Sequence, residues 1–113
     1  MHELSIALGI VKIAENEVAK AHVKKVTKIE LEIGVLAGVE LSSLDFVWKS
    51  AVKDSVLEDA EKEIEVIKGR GKCVDCDTEF EMIHIYDVCP NCNSNFKGIL
   101  NGKELRVKAL EVI

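Results

Sequence analysis

Cys73-Val74-Asp75-Cys76 and Cys89-Pro90-Asn91-Cys92 make the pattern C-x2-C-x12-C-x2-C, and the rest of the chain is best read outward from them. Each pair is short enough to form one tight turn that offers two sulfurs to one ion, and two such turns complete a tetrahedron. A four-cysteine zinc site is the reading this spacing favours. A dithiol redox pair and a nucleic-acid-binding ribbon are the competing uses of the same residues. The second is weakened by the few basic residues nearby, mainly Lys72 and Lys97. A zinc ion held by four sulfurs has no open position, so its role is structural, and such sites contribute about 10–16 kcal/mol to the folding of small peptides. Asp77 and Asn93 follow the second cysteine of each pair. A positive φ is needed there, and Asp and Asn tolerate it best after glycine. No internal repeat longer than the cysteine pair itself is assigned.

Between the pairs, Phe80, Met82, His84 and Tyr86 alternate with Glu81, Ile83, Ile85 and Asp87, which predicts short ribbon strands. Gly69-Arg70-Gly71 opens the cysteine segment and Asn101-Gly102 closes it, so the junctions read as flexible. On either side lie half-buried strands, one carrying Ile64 and Val66, the other Leu105, Val107 and Ala109. The clearest strand alternates Ile29, Leu31, Ile33 and Val35 with Lys28, Glu30, Glu32 and Gly34. A helix from Glu3 to about Val23 is predicted by Leu4, Leu8, Val11, Ala14, Val18 and Ala21 on one face, widened by Ile6, Ile10 and Ile13. A second helix, about Ser43 to Asp54, follows a capping box of Ser42 and Asp45 and buries Leu44, Val47, Trp48 and Ala51. The expected fold is α+β: two helices packed on a small three-stranded sheet, with an inserted zinc-ribbon (rubredoxin-like) module. Residues 1–68 plus 102–113 form the first domain and residues 69–101 the second.

Composition bounds the function. At 113 residues the chain excludes a barrel or a dinucleotide-binding sheet. A formal net charge of -5 gives no general attraction to nucleic acid or anionic lipid, so neither is an expected partner. No apolar run spans a membrane, since Lys12, Glu15 and Lys20 interrupt the first one. Met1-His2-Glu3-Leu4-Ser5 lacks the features of a secretory leader, and thiols kept as metal ligands fit the cytoplasm. The sequence has no Ser/His/Asp set, no phosphate-binding glycine loop and no open His-rich metal site, so an enzyme is not expected.

His2 places an imidazole beside the terminal amine of Met1. The amine, the His2 backbone nitrogen and ring, and the Glu3 backbone nitrogen can form a four-nitrogen plane, a geometry that favours Ni(II) or Cu(II). By composition alone the same residues read as a frayed end. Met-His-Glu-Leu-Ser, the run Gly34-Val35-Leu36-Ala37-Gly38-Val39 leading to Leu44-Asp45-Phe46, the double CxxC and Gly102-Lys103-Glu104-Leu105 together resemble the HypA/HybF family of hydrogenase nickel-incorporation proteins. The resemblance runs the length of the chain. It implies a nickel metallochaperone acting with a partner GTPase, with the large subunit of [NiFe]-hydrogenase, or in some organisms urease, as acceptor. It makes His2 the principal nickel ligand, with Met1 and Glu3 contributing, and Cys73, Cys76, Cys89 and Cys92 the zinc ligands. Glu40 has an acidic counterpart in some relatives and is a candidate support for nickel; His84 is a further candidate ligand if the ribbon folds back. The junction glycines leave open exchange of the ribbon between two copies in a homodimer. The alternative is a zinc-ribbon module binding protein or nucleic acid without nickel traffic.

Overall fold

The computed structural model describes residues 2–113. Its elements run α1 (Glu3–Ala21), β1 (Val26–Gly34), α2 (Leu41–Val52), β2 (Glu61–Ile67), β3 (Gly69–Cys73), β4 (Glu79–Met82), β5 (Lys97–Asn101) and β6 (Leu105–Val112). There are two three-stranded sheets, ordered β2-β1-β6 and β4-β3-β5. The fold is the expected α+β class. Two compact units are distinguished: Met1–Leu31, Val39–Ile64 and Val107–Ile113 make the first, and Glu32–Gly38 with Glu65–Arg106 the second. No helix among the described residues is long and apolar enough to cross a membrane.

In the first unit α1 packs against α2. The face α1 buries is Ala7, Ile10, Ala14 and Val18, spaced by three and four residues. This corrects the expected face: Leu4, Leu8 and Ile13 are exposed, while Ala7 and Ala14 are fully buried. Small side chains let two helix backbones approach, so the phase of the helix follows its alanines rather than its largest apolar residues. The helix ends at His22, which takes the left-handed conformation (φ 56°), with Val23 N–H bonded to Val18 C=O and His22 N–H to Ala19 C=O. That paired pattern is a Schellman stop.

Helix α2 begins two residues earlier than expected, and its cap is Glu40. The Glu40 carboxylate accepts from Ser42 N–H at 3.1 Å and is also bonded to the Ser42 hydroxyl. Asp45 is therefore free of capping duty and pairs with Lys62 at 2.6 Å, whose ammonium lies 5.1 Å from the Trp48 ring centroid. The buried face of α2 is Leu44, Trp48, Ala51 and Val52.

The second unit is built round β3, which pairs antiparallel with both β4 and β5. Gly69-Arg70-Gly71 is expected to be a flexible junction, yet it lies in the central strand. A Cβ on Gly69 would stand 2.3 Å from Met82 C=O, and one on Gly71 2.6 Å from Met82 Sδ. The glycines are spaces that the fully buried Met82 fills. Leu36, Cys73, Phe80, Met82 and Cys89 form the core of this unit, with Cys76 and Ile99 packed on it.

Strand β4 stops at Met82, short of the predicted alternation through Tyr86. The Asp87 carboxylate accepts from the backbone N–H groups of Ile83 (2.8 Å) and His84 (3.0 Å), and these bonds wind the chain into a turn.

Candidate metal centre

Both cysteine pairs are bent into the same backbone shape. Cys73 N–H donates to Thr78 C=O at 2.9 Å, and Asp77 N–H returns to Cys73 C=O at 3.1 Å. Sixteen residues on, Cys89 N–H donates to Ser94 C=O at 3.0 Å, and Asn93 N–H returns to Cys89 C=O at 2.8 Å. Asp77 and Asn93 each have φ 60°, the left-handed conformation expected of them. The repeated unit is thus six residues long, Cys73-Val74-Asp75-Cys76-Asp77-Thr78 against Cys89-Pro90-Asn91-Cys92-Asn93-Ser94. This longer repeat is legible in the sequence as cysteine, any residue, Asp or Asn, cysteine, Asp or Asn, then a hydroxyl residue, and it was missed.

The hydroxyl and amide residues do specific work. Ser94 donates its hydroxyl to the Asp75 carboxylate and accepts Phe96 N–H at 3.1 Å. The first contact ties one knuckle to the other. Cys76 Sγ lies 3.2 Å from the Thr78 hydroxyl and 3.5 Å from the Asn91 side-chain nitrogen. Hydrogen bonds from Thr78 and then Asn91 favour its thiolate and bring Cys76 down to about 6. Cys92 goes the other way, to about 12: the Ser94 amide lowers it, but the Cys73 thiol, desolvation and the other two thiols together raise it more. Four thiols packed this closely resist ionising together unless a cation joins them.

All four sulfurs lie within 4.8 Å of one another, and two contacts, Cys73 with Cys92 and Cys76 with Cys89, are 3.6 Å. A tetrahedral zinc with sulfurs at about 2.3 Å sets them about 3.8 Å apart, so this donor set fits a four-sulfur metal site. Such a site is closed: it can hold shape but has no place for a substrate.

Of the candidate nickel residues, His2, Glu3 and Glu40 lie in the first unit. His2 is the N-cap of α1, exposed, and its side chain makes no capping hydrogen bond. Glu3 begins the helix, and its carboxylate accepts from Glu40 N–H at 3.1 Å, joining the start of α1 to the start of α2. Glu40 is committed to its cap, and the Ser42 hydroxyl and amide hold its carboxyl below the usual carboxylate range. Met1, with its terminal amine, lies outside the described residues. His84 belongs to the second unit, where its ring stacks on Tyr86 (centroids 4.8 Å apart, planes 5° apart) and its Nδ1 is 3.6 Å from the Asp87 carboxylate. Among the described residues the four cysteines are the one group of three or more His, Cys, Asp or Glu placed to hold an ion.

Comparison with known proteins identifies the family. Residues 1–112 match the family described as hydrogenase/urease nickel incorporation, metallochaperone, hypA. The hydrogenase maturation factor HypA of Parabacteroides distasonis is 46% identical, the match covering 99% of this chain and 97% of that one. That of Azotobacter vinelandii is 40% identical, covering 99% of each. Among solved structures, the solution structure of the Ni metallochaperone HypA from Helicobacter pylori superposes with a TM-score of 0.72 at 27% identity, covering 100% of this chain and 98% of that one.

Proposed function

The chain belongs to the HypA family of hydrogenase/urease nickel-incorporation metallochaperones, and from that premise we propose that it carries Ni2+ on its N-terminus and zinc in its four-cysteine site. A metallochaperone of hydrogenase maturation is a carrier and not an enzyme. In this reading Met1 supplies its amine, His2 its ring and backbone nitrogen, and Glu3 its backbone nitrogen. Cys73, Cys76, Cys89 and Cys92 hold the zinc. Residues 1–68 with 102–113 are the nickel-binding domain, and 69–101 the zinc-binding domain. The partners are a maturation GTPase and the large subunit of [NiFe]-hydrogenase, met in the cytoplasm.

The observation that carries the nickel assignment is the exposed His2 at the start of α1, whose side chain makes no capping hydrogen bond. A helix N-terminus ordinarily repels a cation, because its dipole points positive there. Two deprotonated backbone nitrogens remove that obstacle, since they cancel the ion's two charges and leave a neutral complex. The Glu3 N–H precedes the first helical bond, Ile6 N–H to His2 C=O at 3.2 Å, so giving up its proton breaks no bond of the helix. The Glu3 carboxylate, held by Glu40 N–H, ties the start of α1 to the start of α2.

The test is a nickel titration of untagged protein. His2→Ala abolishes nickel binding and leaves one zinc per chain. Affinity falls between pH 8 and pH 6, because the amine, with an ordinary pKa of about 7.7–8.0, and the backbone nitrogens must lose protons to bind. Unchanged nickel binding in His2→Ala, or constant affinity over that pH range, overturns the assignment.

A further inference from the structure

The four sulfurs are also arranged for a reaction among themselves. Both 3.6 Å contacts, Cys73 with Cys92 and Cys76 with Cys89, cross from one knuckle to the other. Each contact joins a buried sulfur to a more accessible one: Cys73 and Cys89 are buried, Cys92 is exposed and Cys76 half-buried. The frame that holds these pairs is made of hydrogen bonds. Each knuckle closes through its own backbone, Val74 N–H reaches Phe96 C=O at 2.9 Å, and Ser94 with Asp75 bridges the two turns.

We propose that this centre is an oxidation site as well as a metal site: a peroxide converts its four thiolates into the cross-knuckle disulfides Cys73–Cys92 and Cys76–Cys89 and expels the ion. The accessible Cys92 thiolate attacks one peroxide oxygen. The O–O bond breaks, hydroxide leaves, and the sulfur becomes a sulfenic acid. The buried Cys73 thiolate then attacks that sulfur, the S–O bond breaks, a second hydroxide leaves, and the disulfide forms. Two electrons have passed from the thiolate pair to one peroxide. Cys76 and Cys89 repeat the sequence with a second peroxide. A resolving thiolate already in contact intercepts each sulfenic acid before it can be oxidised further. The metal clasp between the knuckles is exchanged for a covalent one, so the turns remain joined and can be reloaded after reduction.

This inference rests on the four-sulfur metal site and is independent of nickel at the terminus. The experiment uses the full untagged chain loaded with zinc, treated with hydrogen peroxide in the presence of a chromogenic zinc chelator. The chain releases its one zinc over two equivalents of peroxide, as the two-electron balance of each pair requires. The oxidised protein is then denatured without reductant and cleaved after Glu79 and Glu81, which lie between the pairs. Cross-knuckle disulfides keep the two fragments joined until a reductant is added, and reduction restores zinc binding. Three variants assign the pairing. C76S/C89S and C73S/C92S each retain one short contact and crosslink, whereas C73S/C89S, which leaves only the accessible sulfurs, does not. Fragments that separate before reduction, sulfinic acid in place of crosslinks, or zinc retained under peroxide each overturn the proposal. The wild-type cleavage result separates cross-knuckle from within-knuckle disulfides even if the serine variants fail to fold, and sequencing of the joined peptides after a further cut between Cys89 and Cys92 then reads the pairing.

Discussion

The first unit is held by what it buries, the second by what its sulfurs bind. In the first, Ala7 and Ala14 of α1, Leu44 of α2 and Leu57 are each fully removed from water. In the second, the core is Leu36, Phe80 and Met82 with two of the cysteines. At about 1.5–3 kcal/mol per buried apolar side chain, so small a cluster cannot offset the ordering of about fifty residues. The metal therefore supplies in one unit what apolar surface supplies in the other. The same contrast separates the two proposed jobs, since a closed four-sulfur site fixes shape and an exposed helix end can pass an ion on.

Metal removal breaks the comparison most sharply. The about 10–16 kcal/mol available from structural zinc is comparable to the whole stability of an ordinary domain, about 5–15 kcal/mol. Stripping the ion under reducing conditions is expected to abolish amide-exchange protection in β3, β4 and β5 while α1 and α2 keep theirs. Protection surviving in β3 would mean that Met82 and its neighbours suffice, and the contrast would collapse. The converse change is Leu44→Ala in the first unit, with an expected loss of about 2–5 kcal/mol in thermal or denaturant unfolding. Zinc stoichiometry should be unmoved by it.

Acid sharpens the same contrast. The Glu40 carboxyl is held below its usual range by the Ser42 hydroxyl and amide. A depressed folded value means that the cap is fully effective above about pH 4.5 and is lost as pH falls through the lower folded value. Thiolates need a metal to stay deprotonated together, and protons compete for them at higher pH than that. On acid titration the amide signals of β3 to β5 should therefore change before that of Ser42. The reverse order would show that the four-sulfur site is not what orders the second unit.

How much of this was legible follows from how local each signal is. The cysteine spacing needs only one turn of chain to be meaningful, and Asp77 and Asn93 carry their conformation in their residue type. The helix face of α1 was not legible in phase, because Leu4 and Leu8 outrank Ala7 in hydrophobicity while close helix packing selects the alanine. Strand β3 was hidden because a glycine strand has no pattern of its own; its reason lies in Met82, eleven to thirteen residues away. Glu40 was passed over because Ser and Asp are the commoner caps. The proposed nickel ligands at the terminus rest mainly on resemblance, since one histidine beside an amine has no periodicity to detect.

The smallest expected effect compares the knuckles with each other. Asp77 and Asn93 sit at φ 60° in equivalent turns, each returning its N–H to the first cysteine of its pair. An alanine at either position keeps that N–H but must place a Cβ against the following carbonyl, a cost of about 1–2 kcal/mol, part of which Asp and Asn recover by local hydrogen bonding. Asp77→Ala and Asn93→Ala should thus each weaken zinc binding by about 1 kcal/mol, roughly fivefold in the dissociation constant, because the strained turn is part of the bound form. Glycine at the same positions removes the steric cost and adds chain entropy to the unfolded state, so its effect should be near zero. Equal losses for the two alanine variants would establish that the six-residue repeat is energetic as well as geometric. A loss confined to Asp77 would instead place the difference in Thr78 and Asn91, whose contacts to Cys76 have no counterpart at Cys92 among the side-chain hydrogen bonds of the described residues.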